Sequence, residues 1–536
     1  METQQIEQNS DVTKVASAPS SKRPKAKRRP PPHRPSKQQL HARRLERRKR
    51  QLELRRAQAI EGLFPRDAPA LPNTRSTYAS VEEERQAREQ AVCNQLNILR
   101  RELPWLLKHL DGIRDIRQMS KCRYPLAAIL LYGLLMFVLQ FGSRREVNRE
   151  MTRPQFEENL RMLFPELETL PHADTLYRLL CNIDVAELEE IHIGWINKLI
   201  RRKKFRRYLI GGYYPIAIDG SQKFTRNTLW DDQPLQRTVG SGEASNTQYF
   251  VYVLEASLSF RNGLVIPLLS EFLEYDKGDK EYDKQDCELR AFTRLSARIK
   301  KLFPYLQIVL LLDGLYANGP LMERCHALRW QYMIVLKDNC LRSVWEEFES
   351  LLKLSPANQF RLSWGNRRQR FTWVNNIDYE YTPAGGCPRI IKVHVVVCEE
   401  TWEVIGTQNE IVTKTSRHAW LSSVPLTRRN LHERCNLGAR YRWGIEAGFL
   451  VEKHQGYNYE HAFAYDWNAM RGYHVLMRMG HMINVLARFS RRLKSLYAKY
   501  GVRGSIAFIR QTLAAPWLDS KRVAAILNKP WCLQLE

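Results

Sequence analysis

The sequence has no C-x-x-C pair and no cluster of Cys and His at zinc-finger spacing. Its 10 cysteines are scattered over 536 residues, which argues against a disulfide framework and for reduced thiols in a cytoplasmic protein. Long apolar runs are also missing. One run, Leu126 to Leu139, falls short of the roughly 20 residues that a membrane helix needs and reads as a buried core helix. No apolar h-region opens the chain, so no secretion leader is expected. Negative charge is scarce: 57 Asp and Glu stand against 84 Lys and Arg, a net +27. That imbalance favours an anionic partner, either nucleic acid or an acidic membrane surface.

The charge is unevenly placed. Residues 22–56 carry 16 Lys and Arg against two Glu, a net +14, which leaves +13 of the total +27 for the rest. Residues 1–60 read as a disordered basic tail, rich in Ser, Pro and Gln. Within it, 41–58 (HARRLERRKRQLELRRAQ) can form a basic helix against phosphates. Residues 80–210 read as helical, because apolar residues recur at helical spacing in AVCNQLNILRRELPWLLKHL and around Phe156–Phe164. Pro171–Thr175 is a helix start, with Asp174 or Thr175 the expected cap. This region ends in a basic cluster, Arg201–Arg207, and serves either as a nucleic-acid-binding module or as packing scaffold.

Strand patterns begin at Tyr213. Ile216-Ala217-Ile218 runs into Asp219-Gly220, and Thr247–Phe260 is β-rich. Asn262-Gly263 is a hairpin turn signal ahead of Leu264–Glu274. A helix pattern (286–303), the apolar strand Gln307–Leu312 ending at Asp313-Gly314, a short helix (319–329) and the strand Met333–Leu336 follow. The expected fold class is α/β, a mixed sheet flanked by helices. Residues 358–424 interrupt the alternation as a β-rich insertion. Helical patterning returns from Asn430 to Tyr500, and 501–536 form a helical extension.

Three acids stand out by position. Asp219 and Asp313 each follow an apolar strand and precede Gly, and carboxyl ends of strands are where ligands bind in open α/β sheets. Alone, each Asp-Gly is equally a turn. If the two strands are neighbours, two carboxylates converge, as hard divalent cations require. The third acid lies in Arg440-Tyr441-Arg442-Trp443-Gly444-Ile445-Glu446-Ala447-Gly448-Phe449-Leu450-Val451-Glu452-Lys453. On a helix, Arg442, Glu446 and Lys453 stand at i, i+4 and i+11, one stripe of a carboxylate between two cations. Glu255, Glu271 and Glu274 also fall on strands, without the Arg and Lys partners of Glu446. His172, His326, His418 and His461 are scattered and read as structural. Trp364 and Trp373, near Arg367, Arg368 and Arg370, either stack on unpaired bases or pack between strands.

The strand-Asp, strand-Asp, helix-Glu arrangement with R-W-x-I-E-x(6)-K around Glu446 resembles the DDE transposases of bacterial insertion sequences. It is closest to the type-four group with a Tyr-Arg-Glu-Lys signature. Ala217–Ser221, Leu312–Pro320 and Lys453–His461 (KHQGYNYEH) support the resemblance, which spans roughly residues 115–490. It implies a ribonuclease-H-like catalytic domain over 211–500, with a β-rich insertion between the second Asp and the Glu. It further implies that Asp219, Asp313 and Glu446 are catalytic ligands of two divalent cations, Mg²⁺ or Mn²⁺. Arg442 and Lys453 are then DNA-phosphate contacts, and Lys337, just past its strand, faces the same cleft. The implied activity is cleavage and strand transfer on double-stranded DNA by a homodimer in the bacterial cytoplasm, at the nucleoid. The family's signature Tyr falls at Ala439 here, and Tyr441 belongs to a different helix face. Two alternatives share these residues: a nuclease that cuts without joining, and a non-catalytic DNA-binding protein derived from a transposase.

Overall fold

The computed structural model describes residues 36–60, 76–240, 245–274, 284–383, 385–405 and 410–536. Helix α1 (Lys37–Ile60) contains neither Pro nor Gly and is dominated by Arg, Leu, Gln and Lys, which lose little rotamer freedom in a helix. Ser36 and Gln39 start it reciprocally: the Gln39 N–H donates to the Ser36 hydroxyl (3.2 Å) and the Ser36 N–H to the Gln39 side-chain oxygen (3.0 Å). The helix covers 41–58, where the sequence allows a basic helix, and extends it to Lys37 and Ile60. Residues 1–35 of the disordered tail expected over 1–60 lie outside the described residues.

The helices α2 (Val81–Arg100), α3 (Leu103–Leu110), α4 (Leu126–Val138), α5 (Arg144–Met151), α6 (Pro154–Leu163), α7 (Ala173–Leu180) and α8 (Val185–Arg201) come next. Strands β1 (Tyr214–Arg226), β2 (Leu235–Val239), β3 (Asn246–Ser259) and β4 (Val265–Phe272) follow. After α9 (Lys284–Leu302) come β5 (Ile308–Leu312), α10 (Gly319–Ala327), β6 (Gln331–Val335) and α11 (Arg342–Leu354). Then β7 (Gln359–Trp364), β8 (Arg367–Tyr381), β9 (Arg389–Ile405) and β10 (Ile411–Ser422) precede α12 (Trp443–His454), α13 (Trp467–Arg488), α14 (Lys494–Leu513) and α15 (Ser520–Asn528).

Every residue of α4 is buried, as expected of a helix apolar on all sides. Among the described residues, no helix is long and apolar enough to cross a membrane. Helix α13 packs along α4, and the Asn484 side chain donates to the Val138 carbonyl at 3.0 Å, satisfying one acceptor left open at the end of α4. The cap of α7 is His172, whose Nδ1 accepts from the Asp174 N–H at 3.2 Å. Asp174 and Thr175, the caps expected from sequence, already lie inside the first turn and have no free helix end to satisfy.

The strands form one ten-stranded mixed sheet in the order β2-β3-β1-β5-β6-β10-β9-β8-β7, with β4 also on β3. β1, β3 and β4 are antiparallel to one another in turn, while β5 runs parallel to β1 and β6 parallel to β5. The four strands of 359–422 do not stand apart: β10 hydrogen-bonds antiparallel to β6 and carries β9, β8 and β7 outward in the same sheet. Alternation along β1 divides two cores. Ile216 and Ile218 join the larger one. Ala217 joins a smaller one with Val309, Leu311, Trp420, Tyr441 and Ile445.

Candidate active site

Asp219 does not end its strand. β1 continues to Arg226, and Asp219 stands mid-strand opposite Glu255 of β3. The strand that ends beside it is β5. Parallel pairing sets Ala217 against Leu311, so two residues further along each strand Asp219 and Asp313 stand level. Side chains two apart share a face, which places Asp219 on the side of the smaller core. Asp313 follows the last residue of β5, and its carboxylate accepts from the Leu315 N–H at 2.9 Å, starting the short turn Gly314–Tyr316.

The third acid arrives on α12. The chain enters through a tight turn, Ala439–Arg442, and α12 then lies directly on β3 and β4. Gly444 permits that approach, because a Cβ there would collide with the Ser259 hydroxyl and meet Val265 at 3.2 Å. The Ser259 hydroxyl donates to the Tyr441 carbonyl, and the Tyr441 ring is buried in the smaller core. Arg442 and Glu446 meet as their spacing predicts: the guanidinium pairs with Glu446 at 2.8 Å and reaches Asp219 at 3.8 Å. Arg442 is nearly buried, with its side chain 8% exposed, and among the described residues its Nε has no acceptor. Burial pushes the Asp219 carboxyl up from 3.8 to about 6, against the pull of Arg442 and with the help of Glu446 and Asp313. The three acids thus share one electrostatic environment.

Cations stand on two flanks. Lys337, just beyond β6, folds its aliphatic chain over Gly314, where an added Cβ would meet it at 2.9 Å. With Arg417, Arg440 and Arg442 it lines a cleft of about 620 Å³ that includes Asp313. Lys453 lies on the other side, paired with Glu460 at 3.1 Å. It lines a hollow of about 580 Å³ with Gly220, Gln222 and Arg237.

Among the described residues, no three His, Cys, Asp or Glu side chains stand together as a ready ion site. A cation already occupies the middle of this set, since Arg442 lies between Asp219 and Glu446. The donor chemistry nevertheless fits a hard divalent cation: all three groups are carboxylates. Burial is the main cause of the raised Asp219 carboxyl, and Glu446 and Asp313 push it the same way against Arg442.

Some expectations change. Trp364 and Trp373 are buried, so they pack between layers and are not available to stack on bases. Glu255, Glu271 and Glu274 do have arginine partners, from distant segments. Glu255 pairs with Arg478 (3.1 Å), Glu271 with Arg294 (2.6 Å) and Arg298 (2.7 Å), and Glu274 with Arg471 (3.7 Å). Two buried clusters around the site escaped the sequence reading. In one, Arg478 of α13 bridges Glu255 of β3 and Glu452 of α12, with His474 and His481 on the same acids. Burial opposes charge on Glu255, but Arg478 and His474 outweigh it and hold the carboxyl near 2. Lys223 of β1 donates to the Tyr459 carbonyl at 2.8 Å, and burial drives its pKa down to about 8. In the other cluster, Glu400 receives Arg367, Arg440 and His418, which hold it below the ordinary carboxylate range despite its burial. The only sequence signal was a Glu on an apolar strand; the partners lie too far along the chain to be paired with it.

Residues 107–196 match the family model described as DDE_Tnp_1-associated. This match points to a transposase-family protein. No curated protein matches the chain. The matched segment covers α4 to α7 and most of α8. It contains none of Asp219, Asp313 and Glu446, so the match and the carboxylate geometry are independent observations.

Proposed function

We propose that this chain is a DDE transposase of the type-four, Tyr-Arg-Glu-Lys group that cleaves and rejoins DNA at the ends of an insertion sequence. One observation carries the reading. Asp219 on β1 stands level with Asp313 just past the end of its parallel neighbour β5, and Glu446 is brought to Asp219 on α12 through Arg442. A mixed sheet with the two Asp on neighbouring strands and a β-rich stretch before the Glu supports a ribonuclease-H-like core. Asp219, Asp313 and Glu446 would hold Mg²⁺ or Mn²⁺, which supplies charge neutralisation and a more acidic water at the phosphodiester. Arg442, Lys337 and Lys453 flank the acids as phosphate contacts and align the DNA with them. Water cleaves one P–O bond and leaves a 3′-OH; that hydroxyl then attacks a target phosphodiester, displacing the target's own 3′ oxygen. Phosphoryl transfer depends on such positioning and electrostatics more than on covalent protein chemistry.

The test is Asp219→Ala, with double-stranded DNA carrying the element's end as substrate. Cleavage is expected to disappear while DNA binding persists, and cleavage at a comparable rate would refute the assignment. A pre-cut end offered with target DNA separates transposase from nuclease, because a nuclease forms no joined product.

A further inference from the structure

The register of β7 to β10 builds a charged row on the face turned away from the smaller core. Arg361 of β7 stands opposite Arg370 of β8, Arg370 opposite Glu399 of β9, and Glu399 opposite Arg417 of β10. The next row is Ser363, Arg368, Thr401 and Thr415 by the same pairings. All eight side chains are exposed. Their strand neighbours Phe371, Trp373, Cys398 and Trp420 point the other way, into the smaller core. The two rows line a shallow hollow of about 930 Å³.

Four arginines therefore share this face with few acids. Glu399 pairs with Arg370 at 3.8 Å, and Asp338 pairs with Arg417. Among the described residues, these are the ion pairs that the row makes, and neither includes Arg361 or Arg368. Like charges directly opposite on neighbouring strands destabilise a sheet, so the Arg361–Arg370 rung works against folding. An anion laid over the rung removes that penalty. With strands about 4.8 Å apart, the row of four spans about 14 Å, over which duplex DNA presents several phosphates. The hydroxyls of the second row are further phosphate donors. Neither row carries an aromatic, Asn or Gln side chain, the groups that stack on bases or read adenine edges. The arginines, which elsewhere read guanine, stand on an open sheet face about 14 Å across, wider than the roughly 12 Å major groove, so they meet phosphates first.

We propose that this outer face of β7–β10 binds the phosphate backbone of duplex DNA without reading its sequence. The proposal rests on the DNA-processing function above and adds to it a second contact surface, which meets the cleft of Lys337 and Arg442 at Arg417.

The experiment uses the full chain and a random-sequence duplex of about 30 base pairs, titrated by fluorescence anisotropy across a range of KCl. Arg361→Thr/Arg368→Thr is expected to lower the slope of log affinity against log salt by about 2, one unit per lost phosphate contact. The same loss should appear with an end-bearing duplex, and the apparent Tm should hold or rise because the repulsion is gone. Arg361→Lys/Arg368→Lys is expected to restore most of the slope. An unchanged slope in the Thr variant overturns the proposal, as does a loss confined to end-bearing DNA. A fall of several degrees in Tm that Lys does not reverse would also overturn it, by assigning the arginines a structural role. A parent chain that binds no duplex overturns the DNA-processing reading as well, whereas a binding parent with an indifferent Thr variant overturns this inference alone.

Discussion

At Asp219, burial and an arginine act on one carboxyl in opposite senses, and burial wins: the group titrates near 6 instead of 3.8. Because the folded chain holds this proton more tightly than the unfolded one, the group's contribution to stability is fully present below about pH 4. It is lost as pH rises through 6. Asp219→Asn keeps the shape and removes the charge. It is therefore expected to raise apparent stability at pH 7 by about 1–3 kcal/mol, with little difference near pH 3.5. Thermal melts of both forms at the two pH values test this, and a lower Tm for the amide at pH 7 would show that the Arg442 pairing outweighs the burial. Asp219, Asp313 and Glu446 were legible in the sequence because strand ends and helical stripes have short periods. The placement of Asp219 was misread: an apolar run followed by Asp-Gly looks like a strand end, but pairing with β3 carries β1 seven residues further. Glu255 and Glu400 were overlooked as site neighbours because their arginines come from other segments, Arg478 in one case and Arg440 in the other.

At the level of the element, α12 depends on how closely it lies on the sheet. Gly444 against Ser259 is the tightest point, so Gly444→Ala is expected to destabilise by about 1–3 kcal/mol through overpacking. It should also reduce cleavage more than DNA binding, since α12 carries Glu446. Adding Ser259→Ala should recover part of the loss, which a double-mutant cycle on denaturation midpoints measures. Strands, helices and the hairpin at Asn262-Gly263 were readable from alternation and turn chemistry. The edge-to-edge joining of β10 to β6 was not, because period-2 patterning specifies which face is buried and says nothing about which strand is the neighbour. Residues 358–424 therefore read as an interruption, whereas their strands extend the same sheet.

For the whole molecule, the net +27 has two sources of similar size, residues 22–56 and the rest. Counterion release makes such charge count in proportion to the phosphates it meets. Deleting residues 1–60 is expected to weaken binding to random-sequence DNA at about 0.1 M salt by at least about tenfold, while single-turnover cleavage of saturated end-bearing DNA stays intact. Anisotropy titration and a cleavage time course separate the two effects.

The pairing of α4 with α13 sets an order for synthesis. Helix α4 buries every one of its residues, and much of its cover is a helix that begins at Trp467. A ribosome must translate the entire sheet before that cover exists, so α4 emerges with α3 and then α7 beside it but with the α13 side of its apolar surface open. Contacts this distant in sequence form late, and exposed apolar surface invites aggregation meanwhile. Nascent chains stalled anywhere between Val138 and Trp467 are thus expected to engage chaperones through α4, and release past Arg488 is expected to end that engagement.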